Sequence, residues 1–329
     1  MRIIQYGLGP IGAAITRLLA TKPHAVILGA IDLDPAKVGQ DLGRVTGLGH
    51  ELGVLVSNQA DAVLALEADV VVHCTGSYLH DVKDQLVACL TAGHNVVSTC
   101  EELAYPFRKH PALSAQLDSL ARRHGVTLHG TGVNPGFVMD KLPLTLSAVC
   151  QQVRHVSVTR VVDAARRRGP LQRKVGAGMA RAEFDEAVAA GRIKHHGLPE
   201  SAAMLAHCLG FQVDEIAEVI EPILARSPVT TEHVAVSTGQ VAGVRQVCRA
   251  LTRGDEKVVL ELQMYVGAKD PADTIVVSGQ PDLTLTIPGG THGDVATAAA
   301  VANALGLVVA APAGLRTVAD LPVRFASAY

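Results

Sequence analysis

Arg2-Ile3-Ile4-Gln5-Tyr6-Gly7-Leu8-Gly9-Pro10-Ile11-Gly12 is a short apolar run that ends in a G-x-G-x-x-G pattern. The run reads as a buried strand, and beyond it Ile11, Ile15, Leu18 and Leu19 fall on one face of a helix. In a strand–turn–helix setting each glycine has a task. Gly7 permits the tight turn, Gly9 lets the backbone approach a pyrophosphate, and Gly12 lets the helix pack closely on the strand. The helix start then offers a positive dipole end and free N–H groups to phosphate, from Ile11 onward, with Pro10 fixing the first turn. The next strand, Ala25–Ile31, delivers Asp32, whose carboxylate suits an adenosine ribose and repels a 2′-phosphate. NAD is therefore the expected cofactor, with NADP as the second choice. Asp34 competes for the role, although Asp34-Pro35 also reads as a helix-starting turn.

Outward from this unit the pattern repeats. Asp69–Cys74, Asn95–Ser98 and Val126–His129 read as buried strands, with Tyr78–Ala92 and Pro111–Arg123 as intervening helices. Strands apolar on both faces and separated by helices imply a doubly wound parallel sheet of Rossmann type. Past residue 133 the pattern changes. Val153–Val162, His233–Ser237, Val241–Leu251, Lys257–Val266, Thr274–Val277 and Leu283–Ile287 read as strands of a more antiparallel sheet. Helices are expected near Arg181–Ala190, Glu200–Leu209 and Asp294–Leu305. The fold class is thus α/β with a second α+β domain. The expected division is 1–133 for dinucleotide binding, 134–290 for substrate and dimerisation, and 291–329 as a helix and tail packing back on the first domain.

Composition narrows the function. A formal charge of −2 gives no global basic field for nucleic acid or an acidic membrane. Arg166-Arg167-Arg168 with Arg173-Lys174 lacks interleaved aromatics and reads as a solvated loop. The apolar windows Ala25–Ile31 and Leu305–Leu315 fall short of the ~20 residues of a membrane-spanning helix. No secretory signal is evident at the start, and the cysteines, Cys74, Cys100, Cys150, Cys208 and Cys248 among them, form no CxxC pair. Reduced thiols in a cytoplasmic protein are expected. His195 and His196 are adjacent, so they cannot share a helical face as metal ligands, and no metal is expected.

At the carboxyl edge of the first sheet, where such folds bind ligands, three further segments carry polar residues. Thr75-Gly76-Ser77 can approach the cofactor or cap the following helix. Glu101 and Glu102 sit just past an apolar strand, and their side chains should point different ways. Gly132-Val133-Asn134-Pro135-Gly136-Phe137 forms a glycine-rich turn.

The segment Gly132–Asp140 resembles the signature of the 2,4-diaminopentanoate dehydrogenases and related amine dehydrogenases, wider relatives of the dihydrodipicolinate reductases. Arg160–Ala164, Lys174–Gly178, His196–Ser201 and Pro288–Thr297 match in order, so the resemblance spans nearly the whole chain. It implies a homodimer that carries out NAD(P)-dependent oxidative deamination of an amine or diamine, releasing ammonia and reversible as reductive amination. It places the catalytic carboxylate at Glu101, with Glu102 as the fallback. A partly buried glutamate of raised pKa could take the proton that an ammonium must lose before hydride leaves. Asn134, Pro135 and Gly136 become a shelf beside the cofactor; Phe137, Arg160, His195 and His292 become candidates for the substrate pocket. Two rivals are a cyclic imine reductase of the dihydrodipicolinate reductase type and a non-catalytic NAD-sensing dimer.

Overall fold

The computed structural model describes residues 1–167 and 169–326, in two units: residues 1–137 with 292–326, and residues 138–291. Arg168, of the basic run, lies outside the described residues. The first unit alternates strands and helices: β1 (Arg2–Tyr6), α1 (Pro10–Ala20), β2 (Val26–Ile31), α2 (Leu42–Thr46), β3 (Val56–Ser57), α3 (Ala60–Leu64), β4 (Val70–His73), α4 (Leu79–Thr91), β5 (Asn95–Ser98), α5 (Pro111–Arg123) and β6 (Thr127–Gly130). A 3₁₀ turn, Glu101–Ala104, follows β5.

The second unit contains α6 (Lys141–Ser147), β7 (Gln152–Asp163), α7 (Gly169–Lys174), α8 (Arg181–Ala189), α9 (Leu198–Cys208), β8 (Glu215–Leu224), β9 (Val229–Thr230), β10 (Ala235–Val236), β11 (Val241–Thr252), β12 (Asp255–Tyr265), β13 (Ala272–Gln280) and β14 (Leu283–Pro288). Its large sheet has the order β14-β13-β7-β12-β11-β8, antiparallel except where β12 runs parallel to β7. The expected strand His233–Ser237 shrinks to the two residues of β10, paired only with β9. On the outer face of the large sheet Arg245 bridges Glu261 and Glu221, and Arg249 meets Glu256.

The chain then returns to the first unit through α10 (Gly293–Ala310) and β15 (Gly314–Arg316). The completed first sheet is wholly parallel, in the order β15-β6-β5-β4-β1-β2-β3. The strand order reverses between β1 and β4, where open α/β sheets bind ligands. Alternate residues feed two cores, as buried strands require. Ile3, Val70, Val72 and Val97 pack under α1 and α10, while Ile4, Val71 and Val96 pack under α4 and α5.

Two sequence expectations shift. The first boundary falls after Phe137 rather than residue 133, because the loop past β6 stays tied to this unit: Val133 N donates to Thr297 Oγ1 of α10 at 3.3 Å. The apolar stretch near the end is also longer than Leu305–Leu315. α10 has 18 residues with Asp294 its only charge, so by length and composition it could cross a bilayer. It lies instead against α1 and the sheet, burying Ala298, Val301, Ala304, Leu305 and Val308.

Candidate active site

The glycine turn has the form its spacing implies. Gly7 has φ +93°, and a Cβ on Gly12 would lie 2.0 Å from Gly7 O, so only glycine permits this contact between helix and strand. A Cβ on Gly9 would meet nothing within 4 Å. Open space therefore faces the second glycine, and α1 begins there with no side-chain cap on its first amides. That is the setting a pyrophosphate needs. Beneath the turn, Gln5 donates from Nε2 to Gly7 O at 3.0 Å.

Asp32 holds the same turn from the side. Its Oδ2 accepts from Leu8 N at 2.7 Å and its Oδ1 from Asp34 N at 2.9 Å. Lys37, which sequence reasoning passed over, sets Nζ 3.3 Å from both Asp32 and Asp34. Asp34 serves its turn: Oδ1 accepts from Ala36 N, and that bond, with Lys37, holds its carboxyl below the usual range. The carboxylate at the strand end is thus Asp32, with a cation beside it.

Across the switch point, Thr75 and Gly76 are exposed and Ser77 is half-buried in the turn between β4 and α4. The two glutamates part ways. Glu101 opens the 3₁₀ turn and is half-buried; Glu102 is 3% exposed. Glu102 Oε2 accepts from Leu79 N at 2.8 Å and lies 2.9 Å from His110 Nε2, while Oε1 meets Lys109. Glu102 N in turn donates to Ser77 O at 3.3 Å. Glu102 therefore caps α4 and staples one turn to the next. Burial works to raise its pKa, but the bonds from Lys109, Leu79 N and His110 outweigh it and the net shift is downward. The expectation of a raised pKa fails for this residue, and with it the fallback assignment as base.

A stability measurement checks the staple. Glu102→Ala should cost about 2 kcal/mol, the scale of a lost cap plus a charge-assisted bond. Because the folded value is depressed, this stabilisation is present above the unfolded pKa and is lost as pH falls through the folded one. The gap between the urea midpoints of the two proteins should close below about pH 4.5, the ordinary carboxyl value. A gap constant down to pH 3 would contradict the cap.

After β6, Asn134 is 8% exposed, and neither its Oδ1 nor its Nδ2 has a hydrogen-bond partner among the described residues. Two unpaired atoms of a buried carboxamide are costly unless a ligand supplies their partners. The Asn134–Pro135 peptide is cis. At Gly136, with φ +127°, a Cβ would lie 2.3 Å from Gly132 N. Phe137 is half-buried at the end of this unit. The sites after β1, β4, β5 and β6, four neighbouring strands, thus all open on one edge. Together the open Gly9 turn, Asp32 and the unpaired Asn134 amide fit a nicotinamide dinucleotide.

His292 opens the last helix. It is the exposed N-cap of α10, and its Nδ1 lies 3.5 Å from Val295 N.

The second unit holds Arg160 and His195. Arg160, on β7, is 3% exposed; Nε donates to Asp273 Oδ1 at 2.8 Å and Nη2 to Thr291 O at 2.9 Å. Asp273 Oδ2 also accepts from Thr291 N at 2.8 Å. This pair pins the Gly289–Thr291 turn, a structural duty that the strand pattern did not reveal. Arg160 Nη1 has no hydrogen bond among the described residues. His195 Nδ1 is buried without a partner, and burial, with Arg160 and Lys174 nearby, pushes its pKa down to about 3. Gln246 clamps the His195 backbone, accepting from its N and donating to its O, both at 2.8 Å. Among the described residues no three His, Cys, Asp or Glu side chains converge on a metal position.

A Rossmann-type nucleotide unit joined to a second α+β unit, with polar side chains gathered along the sheet edge, defines a nicotinamide-dependent dehydrogenase. Residues 137–328 match the 2,4-diaminopentanoate dehydrogenase C-terminal domain, and residues 1–100 the N-terminus of dihydrodipicolinate reductase. The chain belongs to the 2,4-diaminopentanoate dehydrogenase family, oxidoreductases that act on CH–NH2 groups with NAD(P). It is 28% identical to a 2,4-diaminopentanoate dehydrogenase of Acetoanaerobium sticklandii, over 98% of this chain and 94% of that one. An amine dehydrogenase of Streptomyces virginiae is 25% identical over 98% and 96% of the two chains. The solved amine dehydrogenase of Mycobacterium smegmatis superposes with a TM-score of 0.86, at 30% identity, covering 99% of this chain and 97% of that one.

Proposed function

We propose that the chain catalyses the reversible reaction of an amine with NAD(P) and water to give a carbonyl compound, ammonia and reduced cofactor, with Glu101 as the proton acceptor. One observation carries the reading: the Glu101 turn follows β5, which lies next to β4 and two strands from the glycine turn, on the edge where the dinucleotide fits. The nicotinamide, when bound, takes up the hydride from the amine-bearing carbon. The protein's part is to hold and deprotonate. Gly9 and the first amides of α1 receive the pyrophosphate, Asp32 the adenosine ribose, and Thr75 with Gly76 and Ser77 the cofactor's middle. Asn134 pairs its amide with the nicotinamide carboxamide, with Pro135 and Gly136 shaping the shelf beneath. Glu101 takes the proton from the ammonium nitrogen, which frees the lone pair that drives hydride departure; in reverse, its acid form assists water loss from the carbinolamine.

Phe137 supplies an apolar wall for the substrate. Arg160, through Nη1, and the neutral His195 are available to an anionic end, so a substrate bearing a carboxylate, as the name of the Acetoanaerobium relative describes, suits the second unit. The reading includes a homodimer in the cytoplasm. Purified protein with NAD and a panel of amines, diamines and diamino acids should form NADH and release ammonia. Tight NADH binding with no turnover of any member would favour an NAD sensor, and turnover confined to cyclic imines the reductase reading.

Cofactor choice follows from Asp32. Asp32→Ser should lower any preference for NAD over NADP by about tenfold, the effect of removing roughly 1.4 kcal/mol of charge repulsion. The ratio of kcat/KM values for the two cofactors checks it. An unchanged ratio would move the discrimination to Asp34 or Lys37.

A further inference from the structure

β4 is apolar through Val70, Val71 and Val72 and then ends on a histidine. His73 is fully buried, stacked edge-on against Tyr6 with ring centroids 5.5 Å apart, and burial pushes its pKa down to about 4, so it is neutral. A neutral imidazole at such a depth needs partners on both nitrogens. It finds three, from three parts of the unit. Nδ1 lies 2.9 Å from Ser98 Oγ at the end of β5; Nε2 lies 2.8 Å from Gln85 Oε1 of α4 and 2.9 Å from Thr75 Oγ1.

Donor accounting sets the directions. Gln85 Oε1 only accepts, so both Thr75 O–H, at 2.5 Å, and His73 Nε2–H donate to it. With the proton on Nε2, Nδ1 is an acceptor, and Ser98 O–H donates to it. Ser98 Oγ is then free to accept from Cys100 N at 3.1 Å. Cys100 immediately precedes Glu101. One ring therefore ties the Thr75 turn to the Glu101 turn, opposite the Glu102 staple that joins Leu79 and Ser77 to the same pair of turns.

We propose that His73 is a positioning residue for the reaction, setting the spacing between the turn that holds the cofactor and the turn that carries the base. The proposal rests on the assignment of Thr75 to the cofactor and Glu101 to proton transfer. A residue needed only to fill space at this strand end would be apolar like its three predecessors; a polar network is costly to bury unless fully paired. Here every member is paired, and two of the three partners of the ring sit on the working edge of the sheet.

The two nitrogens can be separated by substitution. His73→Asn keeps a polar atom near the Nδ1 position and loses Nε2, so it should raise the KM for NAD(H) about tenfold with kcat nearly unchanged. His73→Gln keeps a donor near Nε2 and loses the bond to Ser98, so it should lower kcat about tenfold and spare the cofactor KM. Gln85→Met, which removes the acceptor of Nε2, and Ser98→Ala, both of which leave the ring in place, should reproduce the same split and serve should either His73 variant fail to fold. If all four variants shift KM and kcat together, or only lower the thermal midpoint, His73 is a packing residue and the proposal falls. Glu101→Gln separates the two levels. If it is inactive and the split is absent, the His73 inference alone fails; if it turns over normally, the assignment beneath it fails.

Discussion

Glu101→Gln is expected to reduce kcat by about 10²- to 10⁴-fold, the range for loss of a positioned proton acceptor, while NADH binding stays within about twofold of the native protein. The two readouts follow from where the parts sit. In the proposed reading the dinucleotide would be received by the turn after β1, by Asp32 after β2 and by the Thr75 turn after β4, whereas Glu101 belongs to the turn after β5. A glutamine fills the same space but cannot accept a proton. An ammonium substrate would then keep its proton at neutral pH, and no lone pair would be available to expel hydride. Steady-state kinetics with fluorescence titration of NADH checks both halves. Retention of more than about a tenth of native kcat would remove Glu101 from proton transfer. Glu102 offers no substitute, because both of its oxygens are engaged by Leu79, Lys109 and His110.

Asp273→Ala is expected to destabilise the second unit by about 3–5 kcal/mol, the usual penalty for removing one member of a buried ion pair. Arg160 would keep its charge in an interior where its side chain is 4% exposed, and Thr291 N would lose its acceptor. The double variant Arg160→Met with Asp273→Leu removes the stranded charge as well, so it should recover most of the loss. Urea denaturation of the three proteins measures it. Equal loss in the single and double variants would show that the turn at Gly289–Thr291, rather than the unpaired charge, dominates the cost.

Much of the first unit was legible from local pattern. β5 and α5 begin and end where apolar runs and Pro111 put them, because strands buried on both faces and a proline-started helix carry their signals in adjacent residues. β8 is absent from the strands expected above: glutamates at 215, 218 and 221 and Pro222 interrupt its apolar pattern, and their partners are remote, Glu221 meeting Arg245 of β11 while Glu218, on the opposite face, accepts from Gln246. β15 has three residues, too few to show a period.

The site was legible in part for a similar reason. Glycine spacing and Asp32 are short-range, so they could be read directly. The duty of Glu102 depends on a backbone amide 23 residues away, and that of Arg160 on Asp273, 113 residues away. Such pairings have no local signature. His73 was hidden by continuity, since it closes a valine run that looks like ordinary core. For His292 the local pattern carries no choice, since a helix-opening histidine can face a ligand or cap its own helix.

The first unit is discontinuous in the chain, since β6 acquires its outer neighbour β15, and α1 its companion α10, from the last part of the sequence. A ribosome delivering this protein therefore releases the nucleotide unit half built. The backbone edge of β6 stays open, and Val70, Val72 and Val97 lack the α10 part of their cover, while the whole second unit is synthesised. Chains cut short after Thr291 would thus keep every residue of the glycine turn and still lack a stable place for the dinucleotide, so their first failure in the cell should be aggregation rather than weak catalysis.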